Sequence, residues 1–364
     1  MRISFLSVLK GLAILALLTG IVVAGLAVYS RLPAILEDLT ASSRAPKVRP
    51  GQEVIVSVPK GATLSQVAAL LEEQGVISSR LVFKVVAAIR GEQRKIQAGD
   101  YSLKTGSDAG DVLDLLISGK TLMFTFTVPE GYNIFQVADL FHQSGIMPRN
   151  EFLNMAQDKP TLKELGVEGD SLEGYLFPDT YFMRPSEKKD GKLLVRRMVK
   201  RFFEVYDKEV RSIAEAHNWK TNQVVTLASL IEKEARQSEH AFVSAVFHNR
   251  LRKGMRLQCD PTVIYGIKPM GSRITRRDLD NPHSYNTYQH AGLPPGPIAN
   301  PGKDSLTAAV QPADVDYLYF VAKNDGTHQF SSTLKEHNRW VDLYQRNSRA
   351  EAQTNKKAKG SEAQ

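Results

Sequence analysis

A segment near the start of the chain returns seventy residues later, and that echo constrains the local fold more than any other feature. Val58-Pro59-Lys60-Gly61, then Gln66-Val67-Ala68, then Gly75, reappear as Val128-Pro129-Glu130-Gly131, Gln136-Val137-Ala138 and Gly145. In both copies an alternating strand (Val54, Val56, Val58; Phe124, Phe126, Val128) runs into a Pro-x-Gly turn. Helical spacing of apolar residues follows, at Leu64, Val67, Ala68, Leu71 and at Ile134, Val137, Ala138, Phe141. The chain therefore builds a strand-turn-helix unit twice. After the first copy the pattern predicts a helix near Leu81 to Arg90, a strand near Ala98 to Leu103 and a helix near Asp111 to Leu116. Together these make a β-α-α-β module over residues 53–120.

Ahead of that module, Gly11 to Tyr29 carries no charge and is rich in Leu, Ile, Val and Ala. A helix needs about 20 such residues to cross a bilayer. Arg2 and Lys10 precede the run, while Arg31 is followed by Glu37 and Asp38, so the basic excess favours N-in, C-out insertion. A cleaved signal peptide is the rival reading, with Ala24, Gly25 and Ala27 as small residues, but its core should span only about 7 to 15 residues. The expectation is a cytoplasmic N-terminus and retained anchor over residues 1–31 (about 11–29). A Pro-containing linker at 32–52 then leaves the rest outside the cytoplasm. The net charge of +8 suits several polyanions, and export sets nucleic acid aside as the partner.

The single cysteine, Cys259, excludes an intramolecular disulfide and any cysteine-based zinc or iron–sulfur site. With 42% hydrophobic and 24% charged residues, the chain has the composition of a folded protein. The fold class expected is α+β. A larger mixed α/β domain over residues 121–347 has strands near Tyr175 to Met183 and Tyr317 to Ala322. Its long helices lie near Leu193 to His217, Asn222 to Gln237 and Ala241 to Lys253. From 348 to 364 the chain is polar and reads as a disordered tail.

Several chemistries lack their residues. There is no Gly-x-Ser-x-Gly elbow, no phosphate-cradling Gly-x-x-x-x-Gly-Lys loop and no His-Glu-x-x-His pair, so neither a metal nor a cofactor is expected. Carboxylates remain. Glu232 and Glu234 share one apolar helix, Thr226-Leu-Ala-Ser-Leu-Ile-Glu-Lys-Glu-Ala235. An acid pressed against apolar walls has its charged form disfavoured, which suits a general acid near neutral pH. Surface ion pairs with Lys233, Arg236 or Lys253 are the alternative. At about 100° per residue both acids sit roughly 80° from the centre of the apolar face, on opposite margins, so periodicity does not choose between them. Downstream loops offer polar and aromatic groups of the kind that hold sugars: Asn249, Gln258, Asp260, Tyr265, Asn286, Tyr288 and the Gly292-Leu-Pro-Pro-Gly-Pro-Ile298 stretch.

The module at 53–120, with Gly99-Asp-Tyr101 before its last strand, resembles LysM-type glycan-binding modules; a small spacer without a ligand is the alternative. From the anchor to about Val341 the chain resembles the membrane-anchored endolytic murein transglycosylases, the YceG-like family. The resemblance rests on Leu172-Glu-Gly-Tyr-Leu-Phe-Pro-Asp-Thr-Tyr181, Ala228-Ser-Leu-Ile-Glu-Lys-Glu-Ala235, Val246-Phe-His-Asn-Arg-Leu251, Asp260-Pro-Thr-Val-Ile-Tyr265, Tyr285-Asn-Thr-Tyr288, Gly292 to Ile298 and Tyr317-Leu-Tyr-Phe-Val321. It implies an enzyme that cuts the bond from N-acetylmuramic acid to N-acetylglucosamine, leaving 1,6-anhydro ends and terminating or releasing growing peptidoglycan strands. It implies an inner-membrane location, single-pass, with the catalytic domain in the periplasm and peptidoglycan synthases as neighbours. By the resemblance Glu232 takes the catalytic position and Glu234 a supporting one. Tyr181, Asn249, Gln258, Asp260, Asn286 and Tyr288 are the candidates to hold substrate, and Glu173 is a third acid expected to bond loop backbone. The competing readings are a muramidase using a second carboxylate such as Asp260 or Glu173, and a non-catalytic glycan-binding scaffold.

Overall fold

A computed structural model describes residues 49–346. The apolar run at 11–29, most of the linker and the tail from 348 lie outside the described residues. Among those described, no helix is long and apolar enough to cross a membrane. The chain divides into two compact units, one reaching Phe124 and including Met183–Ser186, the other comprising Thr125–Phe182 and the chain from Glu187 onward.

In the first unit the order is β1 (Glu53–Val58), α1 (Leu64–Glu73), α2 (Arg80–Ile89), β2 (Gly99–Lys104) and α3 (Ala109–Ser118). β1 and β2 pair antiparallel from Glu53↔Lys104 to Val58↔Gly99. Alternation along β1 turns Val56 and Val58 inward, where they meet Leu71, Phe83, Tyr101, Leu113 and Leu116 in one apolar core. Thr63 caps α1 by accepting from Gln66 N, and Gln66 Oε1 accepts from Thr63 N at 2.8 Å. The glutamine repeated in the sequence is thus the third residue of a capping box.

The chain continues through β3 (Phe124–Thr127), α4 (Ile134–Gln143), α5 (Arg149–Met155), α6 (Lys159–Glu164), β4 (Thr180–Met183), α7 (Gly191–Glu209) and α8 (Arg211–Ala216). Then come α9 (Thr221–Glu234), α10 (His240–Arg252), α11 (Asp260–Ile264), α12 (Arg276–Leu279), α13 (Lys303–Val310), β5 (Tyr319–Ala322), β6 (His328–Ser331) and α14 (Leu334–Val341). The same capping box opens α4, between Asn133 and Gln136. The described strands form three separate two-stranded sheets, β1-β2, β3-β4 and β5-β6. The core of the second unit is therefore helical. Its centre is α9, in which every residue from Val224 to Ile231 is buried, packed by α10, α11 and α13.

Two sequence expectations change. The strand expected at Tyr175 to Met183 is confined to Thr180–Met183, because Leu172 to Phe177 turns instead of extending. Gly174 makes that turn at φ +85°, where an added Cβ would lie 2.5 Å from Val225 Cγ1 and 2.7 Å from Pro297 Cγ. The helix expected at Leu193 to His217 is two helices, interrupted at Val210, whose φ of −126° leaves the helical region.

Candidate active site

The helix α9 ends on Glu234, and this terminus forms part of a cleft of about 320 Å³. Glu234 is half-buried. Burial comes first in pushing its carboxyl up to about 7, and the nearby Asp260 carboxylate adds to the rise. The Cys259 thiol, the Asp260 N–H and the Arg250 guanidinium oppose it by favouring the charged form. The result is an acid that still carries a proton near neutral pH and has access to solvent.

The loop ahead of α11 delivers several of these groups. Gln258 adopts φ +51°, a left-handed conformation costly for a residue with a side chain, and its N–H reaches Thr287 O at 3.2 Å. Cys259 follows, fully buried, its N–H donating to Thr287 Oγ1 at 2.9 Å. Asp260 sits at the rim and accepts from Tyr288 OH at 2.6 Å. Arg250 is held by Leu318 O and Leu257 O, each at 2.7 Å, with its guanidinium 5.5 Å from the centre of the Tyr319 ring. His328 and His337 also face the cleft.

Of the residues singled out in the sequence, Glu234, Gln258, Asp260 and Tyr288 meet around this cleft. Glu232 does not. Its Oε2 accepts from Gly302 N at 3.0 Å and from Ser305 Oγ at 2.7 Å, and Ser305 Oγ also contacts His240 Nδ1 at 3.1 Å. This second cluster raises the carboxyl of Glu130, through burial first and then the charges of Glu232 and Asp304.

The remaining candidates hold backbone. Asn249 donates to Val315 O and Tyr317 O, both at 2.9 Å. Asn286 is fully buried and bridges Asp278 O, Leu279 O and Asn281 O, while its Oδ1 accepts from Tyr288 N. Tyr181 donates to Phe177 O at 2.5 Å. Glu173, only 1% exposed, accepts from Ile134 N at 2.9 Å and Tyr265 OH at 2.8 Å. Burial pushes its carboxyl up to about 7 against those hydrogen bonds. Arg250, Cys259, Tyr319 and His337 were not singled out as site residues. The motifs holding Arg250 and Tyr319 are visible in the sequence, but nothing in them marks those side chains as neighbours of Glu234.

A mixed α/β scaffold with a cleft holding a half-buried carboxyl raised to about 7 is an arrangement suited to acid–base catalysis. The chain belongs to the YceG-like family, whose model matches residues 56–343. It is 34% identical over 312 residues to an endolytic murein transglycosylase of Bacillus subtilis strain 168, covering 80% of this chain and 84% of that protein. A Streptococcus pneumoniae D39 protein of the same name is 29% identical over 326 residues, with 79% of this chain and 58% of the relative covered. A 2.6 Å crystal structure of a YceG-like protein from Listeria monocytogenes superposes with a TM-score of 0.56 at 31% identity, over 79% of this chain and 98% of that one.

Proposed function

We propose that this chain is an endolytic murein transglycosylase in which Glu234 is the general acid. The reading is supported by similarity over most of the chain to a relative of that name, and by the surroundings of the two acids at the end of α9. Glu234 faces a cleft with a carboxyl raised to about 7. Glu232 spends one oxygen on Gly302 and Ser305. That contrast carries the choice.

Protonated Glu234 donates to the oxygen joining N-acetylmuramic acid to N-acetylglucosamine as the bond to C1 breaks. The muramyl O6 then attacks C1, and its proton passes to the Glu234 carboxylate, which regenerates the acid. A 1,6-anhydro end forms and no water is consumed. Intramolecular attack gains from effective molarities that reach about 10⁵ M when geometry is held. Asp260, ion-stabilised by Tyr288 OH, supplies negative charge beside the developing positive C1. The Asp260 carboxylate also favours a second reading, a hydrolase in which it activates water.

We further propose, from the apolar run at 11–29, that the enzyme is held in the inner membrane with its cleft on the periplasmic side. There it would act on strands close to their site of synthesis, with the module at 53–120 as a glycan-binding element and peptidoglycan synthases as neighbours.

The test is digestion of uncrosslinked glycan strands by Glu234→Gln and Glu232→Gln, read by mass spectrometry. Glu234→Gln is expected to lose anhydro products and Glu232→Gln to keep them. Cleavage retained by Glu234→Gln removes it from the mechanism, and product ends carrying an added water select the hydrolase.

A further inference from the structure

Three buried side-chain polar atoms among the described residues have no hydrogen-bond partner: Asn222 Oδ1, Ser331 Oγ and His337 Nδ1. Of these residues, His337 shares the cleft with Glu234. A buried polar atom without a partner is uncommon in folded proteins and calls for a reason. His337 is carried by α14, which has no fully buried residue. One face of its ring stacks on Tyr319, with centroids 5.2 Å apart and planes at 24°. Tyr319 also lies beneath the Arg250 guanidinium.

Burial, and then the Arg250 charge, push the imidazole below the usual histidine range. At neutral pH the ring is therefore uncharged and offers one donor and one acceptor. Stacking on Tyr319 holds the plane of the ring, while nothing in the protein satisfies its inner nitrogen.

We infer that His337 is a further substrate-contacting residue, a neutral imidazole that hydrogen-bonds a hydroxyl or acetamido group of the sugar held against Glu234. This rests on the glycan-cleaving reading of the cleft. Nδ1 is closed to solvent, so the sugar meets the ring at Nε2, to which it can present an O–H or N–H donor or a hydroxyl or carbonyl acceptor according to the tautomer. The contact helps orient the sugar without moving a proton in the reaction.

The test uses the full chain and uncrosslinked glycan strands. His337→Phe keeps a flat ring against Tyr319 and removes both nitrogens. It is expected to fold, to melt at or above the wild-type temperature, and to lose about tenfold in kcat/KM. His337→Asn or His337→Gln, which return a polar amide near one or other nitrogen position, should recover part of that loss. Wild-type kcat/KM in a folded His337→Phe variant overturns the proposal.

A second measurement stands if the Phe variant fails to fold. In the Glu234→Gln background, added glycan oligomers should shift the His337 ring-nitrogen resonances, and unchanged resonances at saturating oligomer overturn the contact. Failure of the glycan-cleaving reading is seen separately, as absence of cleavage by the wild-type chain.

Discussion

The fully buried thiol of Cys259 lies beside the carboxyl of Glu234 and favours its charged form. A thiol is a weak donor, so it steadies the charged acid only a little and leaves burial to keep the proton in place.

Replacing that thiol should therefore move the pH dependence of the reaction. A general acid loses activity as pH rises through its pKa, which here is about 7. Cys259→Ser supplies a stronger donor to the ionised form and should draw the alkaline limb down by about half a pH unit. Cys259→Ala removes the donor and should push the limb upward. Profiles of kcat/KM across the neutral range check both directions, and coincident profiles for all three proteins would rule the thiol out.

Folding stability carries its own pH signature through Glu173. Its carboxyl is raised from 4.5 to about 7 in the folded chain. The protonated form is thus favoured by folding, and the associated stability is complete below pH 4.5 and lost as pH rises through 7. The loss is on the order of 3 kcal/mol. Glu173→Gln keeps an acceptor for the Ile134 N–H and cannot ionise. Urea unfolding midpoints should vary less with pH in that variant than in the wild type. The half-buried Glu234 titrates in the same window with the same sign, so some dependence will remain.

Gly174 is expected to tolerate no side chain. Gly174→Ala would strain a backbone at φ +85° and press a methyl group against Val225 and Pro297. A loss of roughly 2–4 kcal/mol follows from strain and overpacking together. Gly254 is the control, since it also has positive φ but nothing within 4 Å of the added carbon. Gly254→Ala should cost about 1 kcal/mol. Thermal melts of the two variants separate overpacking from strain.

Ser305→Ala tests the assignment of the two acids from the other side. It removes the hydroxyl that Glu232 accepts from and that contacts His240. Stability should fall by about 1–3 kcal/mol because buried groups lose a partner. The alkaline limb of the rate profile should stay where it is, and a displaced limb would point back to Glu232 as the acid.

Much of this architecture can be read from residue order alone. The strand-turn-helix echo is present in both copies, and the buried course of α9 follows from an apolar run interrupted only by the small polar residues Thr226 and Ser229. The resemblance puts the catalytic position on Glu232, whereas the residues alone leave the two acids equal, since both lie on margins of one helix. The groups that distinguish them, Gly302 and Ser305 for one and Cys259 and Asp260 for the other, arrive from distant sequence. Asn249 and Asn286 show a related limit: a carboxamide facing sugar and one tying down backbone are spelled the same way. The shortened strand at Thr180–Met183 depends on Gly174 fitting between Val225 and Pro297, a contact with no local trace.

The cleft walls include Glu234 from the middle of the chain and His337, Val341 and Gln345 from beyond β6. A ribosome-bound polypeptide that stops short of Gln345 lacks part of that enclosure, however well its earlier helices have folded. Competence to cut thus arrives late in biosynthesis, a built-in delay for an enzyme whose target is the wall that protects the cell.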